Sequence, residues 1–168
     1  MKQMSKLADR MLGLSFLGVV LAAGDAIGQT AKDLVGTWTL VSAVTEQGGN
    51  KTDTFGPNAK GILVIDANGR YVIAFRRADL PKVASNNRTT GTPEENKAIV
   101  AGSLTHFGTI AVNAAEKTFT FKIDTATFPN WDRTEQKRPF TLTGDELRYS
   151  VAAASGGGTA TVIWKRAK

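Results

Sequence analysis

The side chains best suited to ligand chemistry lie in residues 128–140, a stretch that begins as a loop and ends as a predicted strand. Side chains alternate along a strand, so Gln136, Arg138 and Phe140 fall on one face. An inward guanidinium and carboxamide need hydrogen-bonding partners, because unpaired buried polar groups are costly. This face therefore predicts either a buried polar network or the wall of a ligand cavity.

Arg138 has a different role in each alternative. In a buried network, backbone carbonyls and a carboxylate such as Glu135 or Asp145 would satisfy its guanidinium. In a cavity, Arg138 would bind an anionic or carbonyl group of a ligand, since arginine suits planar, bidentate recognition. The residue types leave both roles open.

Two further side chains are candidates for a site. Trp131 precedes the strand in a loop, where it either covers a ligand at the mouth of a cavity or packs against Phe128. His106 is the one histidine and the side chain that titrates nearest neutrality. As a general base it would need an orienting carboxylate, which the sequence does not display, so a polar wall residue is the simpler interpretation.

Composition excludes several function classes. The chain has no cysteine and one histidine, which excludes disulfides, a cysteine nucleophile and a thiolate or His-rich metal centre. We find no paired carboxylates, phosphate loop or Gly-x-Ser-x-Gly motif, so neither cofactor nor metal is predicted. The net charge of +6 is spread along the chain without interleaved aromatic residues, which argues against nucleic-acid binding.

The N-terminus has the pattern of a secretory signal peptide. Lys2, Lys6 and Arg10 precede an apolar run at 11–24, and small residues end the segment at Gly28. We predict a signal peptide at 1–28, one domain at 29–168 and a periplasmic or secreted location. The alternative is an uncleaved anchor, although a run of about 14 residues is short for a bilayer. No stable membrane span is expected after cleavage.

The elements that must position these side chains are strands. Alternating apolar residues and turn clusters predict eight of them, at 34–46, 60–65, 70–76, 105–112, 118–124, 133–143, 146–151 and 159–166. On the first, Trp38, Leu40, Ser42 and Val44 are predicted to share one face. A capping box at Thr92–Glu95 predicts a single helix that runs to about residue 103.

Successive hairpins with one helix predict an antiparallel sheet rather than parallel βαβ units. The fold class that follows is all-β: an eight-stranded antiparallel up-and-down barrel, whose closure removes edge strands and whose interior can hold one small ligand. A β-sandwich is the structural alternative.

Several segments resemble the bacterial and fungal lipocalin-like domain family. They include Gly36-Thr-Trp38, the hairpin Asp66–Arg70, the capping box, Pro129-Asn-Trp131 and the closing strand at 162–166. The resemblance implies a lipocalin-type barrel that binds small molecules. It also implies that Trp38 closes the barrel base beneath a basic residue, either Arg166 or Arg138, through a cation–π contact.

The function predicted from these observations is binding of a small, largely apolar or amphipathic molecule inside the barrel. The predicted ligand-binding residues are Tyr71, Ile73, Phe75, His106, Phe119, Phe121, Trp131, Gln136, Arg138, Phe140 and Tyr149. One alternative is a cofactor-free isomerase or cyclase that uses His106 or a tyrosine as acid or base. Another is an interaction protein with no cavity and an exposed apolar patch. The oligomeric state is not predicted.

Overall fold

The structure is a computed structural model that describes residues 30–168. The predicted signal peptide at 1–28 lies outside the described residues. A four-residue helix, α1 (Ala31–Leu34), leads into the first strand. Neither helix of the described chain has the length and apolar character that crossing a lipid bilayer requires.

Nine antiparallel strands form one sheet in the described chain. They are β1 (Gly36–Gln47), β2 (Asn50–Asp53), β3 (Lys60–Ile65), β4 (Arg70–Arg76), β5 (Ser103–Asn113), β6 (Thr118–Ala126), β7 (Glu135–Thr143), β8 (Glu146–Val151) and β9 (Thr159–Arg166). The strand order is β2-β1-β3-β4-β5-β6-β7-β8-β9, and β9 pairs back onto β1 to close the sheet. Because β2 pairs only with the end of β1, the wall has eight strands, which confirms the predicted barrel.

The strand registers define two ends of the barrel. The tight turns after β3, β5 and β7 lie at one end, which we call the base. The loops after β2, β4, β6 and β8 lie at the other end, which we call the mouth. The longest of these loops contains α2 (Pro93–Ala101), whose predicted capping box is present. No side chain of α2 is buried, so this helix does not plug the barrel.

The base is filled by side chains. Trp38 is fully buried and its indole N–H donates to the Leu34 carbonyl at 2.9 Å. The Arg166 guanidinium lies over the Trp38 ring, with Cζ 4.1 Å from the ring centroid. Of the two arginines expected for this contact, Arg166 is therefore the one that makes it, and Arg138 belongs to the other half of the barrel.

The predicted face of the first strand is wrong beyond Leu40. The register against β9 shifts between Leu40 and Ser42, which marks a β-bulge. The bulge leaves Val41 58% exposed and turns Ala43 into the core, so Ser42 and Val44 lie on the outer face. The prediction assumed that every second residue points inward, and the extra residue of a bulge breaks this alternation.

Candidate functional site

A cavity of about 70 Å³ opens at the mouth of the barrel. This volume is well below the roughly 300–1,000 Å³ of pockets for drug-sized ligands. Its walls are mainly apolar and are formed by Ala43, Phe55, Phe75, Leu104, Phe121, Trp131, Val151, Ala154, Ala160 and Val162. Its polar lining residues are Thr54, His106, Gln136, Arg138, Tyr149 and Ser155. The enclosed space suits a small molecule or one end of a longer molecule.

The structure brings most of the predicted site residues to this cavity. Those on its wall are Phe75, His106, Phe121, Trp131, Gln136, Arg138 and Tyr149. The remaining four, Tyr71, Ile73, Phe119 and Phe140, are buried inside the barrel but do not line the cavity. Alternation identified which side chains point inward, but it carries no information about how far the packed core extends from the base.

Phe55 is a wall residue that sequence analysis missed. Its ring stacks on that of Phe75, with 4.9 Å between centroids and 9° between planes. It lies in the loop after β2, where the following Gly56 and Pro57 indicated only a turn. An aromatic residue directly before such a turn was the available signal, because a large apolar side chain in a loop usually packs onto the domain.

Trp131 is held at the mouth by a 3-10 turn over Pro129–Trp131. The carboxylate of Asp132 accepts hydrogen bonds from the Thr125 hydroxyl at 3.0 Å and the Ala126 N–H at 2.7 Å, which ties the turn to β6. The indole packs edge-on against Phe128 and also lines the cavity. The predicted contact with Phe128 is therefore present, and the same side chain lies on the wall of the cavity.

Arg138 is half-buried on the cavity wall. Its guanidinium donates to the Lys137 carbonyl at 3.1 Å and to Gln136 Oε1. The carboxylates considered as partners lie elsewhere, since Glu135 pairs with Lys122 and Asp145 with Arg166. No carboxylate in the described chain pairs with Arg138, and burial lowers its pKa. Of the buried-network alternative, the backbone carbonyl is therefore present and the carboxylate is absent from the described chain, so the cation lies on the cavity wall without a negative partner.

His106 is 4% exposed, and its Nδ1 lies 2.8 Å from the Tyr71 hydroxyl oxygen. Its ring also contacts Phe121 and Trp131 edge-on, with centroids 5.5 Å and 5.7 Å away. Burial, with a further contribution from the positive charge of Arg138, lowers the pKa of His106 to about 4. The imidazole is therefore neutral at physiological pH.

The two tyrosines are neutral as well. Burial is the main cause that raises the pKa of Tyr71 and of Tyr149 far above the ordinary value for a phenol. Neutral His106 and Tyr149 thus share the cavity wall with the positive charge of Arg138. Within residues 30–168 there is no group of three or more potential metal ligands.

The geometry and the sequence agree on the family. The model of the lipocalin-like domain family matches residues 35–167, from the start of β1 to the end of β9. This chain belongs to the lipocalin-like domain family. The family match thus covers every strand of the barrel and the whole cavity wall.

Similar solved structures include two crystal structures of the fluorescent protein UnaG, in variants that replace one asparagine by glutamine or alanine. They are 9% and 10% identical to this lipocalin-like chain and have a TM-score of 0.38 each. The alignments cover 82% and 83% of this chain and 99% of each UnaG chain. At this level of similarity nothing follows for the ligand. A comparison with curated proteins gives no match.

Proposed function

We propose that this lipocalin-like protein binds a small, largely apolar molecule in the cavity at the barrel mouth. The observation that carries the proposal is the position of Arg138 on an otherwise largely apolar wall. Arg138 is a half-buried cation, and no carboxylate of the described chain pairs with it. A cation in such a place lowers the stability of the fold, so a barrel with a purely structural role would be expected to lack it. A ligand with a polar end would offset this cost.

The aromatic lining supports the same proposal. Phe55, Phe75, Phe121 and Trp131 supply flat apolar surfaces on several sides of the cavity. Aromatic walls with a few convergent polar groups are typical of small-molecule sites. The volume of about 70 Å³ limits the enclosed part of the ligand to a few carbon atoms and a polar group.

The enzyme alternative has weaker support. Tyr71 gives His106 the orienting partner that the sequence did not reveal. However, none of the described aspartates or glutamates lines the cavity, so no carboxylate stabilises an imidazolium. A histidine with a pKa of about 4 is also a weak base at neutral pH.

The interaction-protein alternative predicted an exposed patch and no cavity. An apolar row does lie on the outer wall, where Val64 pairs with Val72 and Val72 with Phe107. Val64, Val72 and Phe107 are exposed by 38%, 47% and 38%, and nothing in the described chain covers them. The cavity favours ligand binding over this alternative.

We further propose that the protein acts outside the cytoplasm, on the basis of the signal-peptide pattern at 1–28. N-terminal sequencing of the protein from its host tests this proposal. We expect a mature chain that begins near residue 29 in a periplasmic or secreted fraction. An intact N-terminus would contradict it.

Native mass spectrometry of protein purified from its host tests ligand binding. The wild-type protein is expected to carry a bound small molecule. Ala43→Leu adds three carbons at a cavity-lining position and should remove this mass. Val41→Leu, on the outer face of the same strand, is the matched control and should retain it. Retention of the ligand by Ala43→Leu, or its absence from the wild type, would contradict the proposal.

A further inference from the structure

We infer that the ligand is a small monocarboxylate whose carboxylate faces Arg138, because each polar side chain of the cavity wall inside the rim can donate a hydrogen bond into the cavity. This inference rests on the proposed function and specifies the class of ligand. It follows from assigning the donors and acceptors of four side chains, Gln136, His106, Tyr149 and Arg138.

The orientation of the Gln136 carboxamide is fixed by Arg138. A guanidinium has no acceptor, so the Gln136 atom that bonds to it must be the carboxamide oxygen, as the structure has it. The NH₂ group is then the end of Gln136 that remains for a ligand. Since Gln136 lies on the cavity wall, it presents a donor.

The tautomer of His106 is fixed by Tyr71. Tyr71 is 2% exposed, and its hydroxyl has His106 Nδ1 as its hydrogen-bond partner in the described chain. If Nδ1–H donated to Tyr71, the phenolic proton would be buried without an acceptor. Tyr71 therefore donates to Nδ1, and the proton of the neutral imidazole is on Nε2. The nitrogen that His106 leaves for a ligand is thus also a donor.

Tyr149 can also donate into the cavity. Its neutral hydroxyl carries one proton, and Tyr149 lines the cavity. The indole N–H of Trp164, which favours the phenolate of Tyr149, is itself a donor without an acceptor in the described chain, so it offers the Tyr149 proton no acceptor. The Tyr149 proton therefore remains available to a ligand.

The positive charge of the site distinguishes among the classes of ligand that could accept hydrogen bonds from these donors. Arg138 has five N–H donors, and the described chain engages the guanidinium at two acceptors, Lys137 O and Gln136 Oε1. His106, Tyr71 and Tyr149 are neutral, so the site carries a single uncompensated positive charge. The hydroxyl groups of Thr54 and Ser155 can also accept, but both residues are exposed at the rim. A carboxylate offers acceptors only and one negative charge, which matches this wall.

The strand direction gives the ligand an orientation. β7 begins at the mouth, so Gln136 lies near the opening and Arg138 one inward position deeper. The carboxylate would enter first, and the apolar body would remain between Phe55, Phe75 and Trp131. A cavity of about 70 Å³ encloses the carboxylate and a few carbon atoms, so a short-chain or monocyclic carboxylate fills it and a longer chain would extend out of the mouth.

Isothermal titration calorimetry with hexanoate, hexanamide, 1-hexanol and hexylamine tests this inference, because the four probes differ only in their polar end. Hexanoate is expected to bind at least about tenfold more tightly than the other three. Arg138→Gln should weaken hexanoate binding by roughly 10- to 100-fold and 1-hexanol binding far less, because only hexanoate loses a charge partner. Arg148→Gln, which removes an exposed arginine on the outer face of β8, is the matched control and should change neither.

Equal affinity for hexanoate and 1-hexanol, absence of hexanoate binding, or hexanoate binding unchanged by Arg138→Gln would overturn the inference. Binding of 1-hexanol to Arg138→Gln shows that this variant is folded. The proposed function is tested separately, by native mass spectrometry of the molecule that co-purifies with the wild-type protein and is lost in Ala43→Leu. A bound molecule without a carboxylate would overturn the inference and leave the proposed function standing.

Discussion

Arg166 lies over Trp38 at the base of the barrel, with 4.1 Å between Cζ and the ring centroid. The same guanidinium donates to the carbonyls of Val35 and Asp33, at 2.7 Å each, and so fastens the N-terminal segment across the base. Because Arg166 fills this role, Arg138 is not needed to close the barrel. The two arginines thus lie at opposite ends of the barrel, Arg166 at the packed base and Arg138 on the wall of the cavity at the mouth.

We expect Arg166→Leu to lower the free energy of unfolding by about 2 kcal/mol, because it removes the cation–π contact and charged hydrogen bonds to two carbonyls. Urea denaturation measures this change. The affinity for hexanoate should stay within about twofold of wild type, since the cavity lies at the opposite end. Arg148→Leu, at an exposed position, should change stability by less than about 0.5 kcal/mol. An Arg166→Leu protein of wild-type stability would contradict the role assigned to the base.

Arg138→Met should separate binding from stability. Replacing a half-buried, unpaired cation by an apolar side chain of similar length is expected to leave the free energy of unfolding unchanged or to raise it by about 1 kcal/mol. The affinity for hexanoate should fall, because the positive charge is lost. Thermal denaturation without ligand, together with calorimetry, checks both effects. A destabilised variant with full affinity would show that Arg138 serves the fold instead.

His106 should make stability fall as the pH is lowered from about 6.5 to about 4. Its pKa is near 4 in the folded protein against an ordinary value of 6.5, so the unfolded chain binds the additional proton in this window. The free energy of unfolding therefore rises with pH across the window, by on the order of 3 kcal/mol in total. Urea denaturation at a series of pH values measures the slope.

The control for this pH dependence is His106→Gln, which keeps a side-chain donor and removes the titrating group. In this variant the slope between pH 6.5 and 4 should be largely lost. Exposed carboxylates with lowered pKa values, such as those of Asp79 and Glu116, begin to lose their contribution only near their ordinary pKa values of 3.8 and 4.5, at the lower edge of this window. A slope that persists in His106→Gln would place its origin outside the cavity.

Gly108 should not tolerate a side chain. A Cβ atom at this position would lie 2.0 Å from the Lys122 carbonyl oxygen, where β5 and β6 meet at a bulge. We expect Gly108→Ala to cost about 3 kcal/mol of stability and to weaken ligand binding, because His106 is two residues away on the same strand. Gly156→Ala, in the open turn before β9, has free space and should be neutral. Equal stability of the two variants in thermal denaturation would contradict the packing at the bulge.

Local patterns were sufficient to predict most of the fold. The alternation on β4, β6 and β9 and the capping box at Thr92 predicted the strands, the helix and the inward side chains. The bulge after Leu40 was not predictable, because one extra residue changes the inward face without any change in residue type. The short strand β2 was also missed, since its four residues are exposed and polar.

The site was predictable in its residue types but not in its pairings. Inward alternation was enough to place Gln136 and Arg138 on the inner face of the barrel, and the structure shows that this part of the face is a cavity wall. The bond between Tyr71 and His106 joins residues 35 positions apart, and only the register of β4 and β5 brings them together. The extent of the cavity depends on how far the aromatic core fills the barrel from the base. That depends on packing in three dimensions, which a one-dimensional pattern does not contain.

If the cavity presents hydrogen-bond donors to a carboxylate, His106 must carry its proton on Nε2, and ¹⁵N NMR of His106 observes that proton. His106 is the only histidine of the chain, so its ring signals need no assignment by mutation. We predict an unprotonated Nδ1 and a protonated Nε2 at neutral pH, and an Nε2–H resonance that moves on addition of hexanoate but not of hexylamine. A protonated Nδ1, or an Nε2–H resonance that saturating hexanoate leaves in place, would contradict the claim.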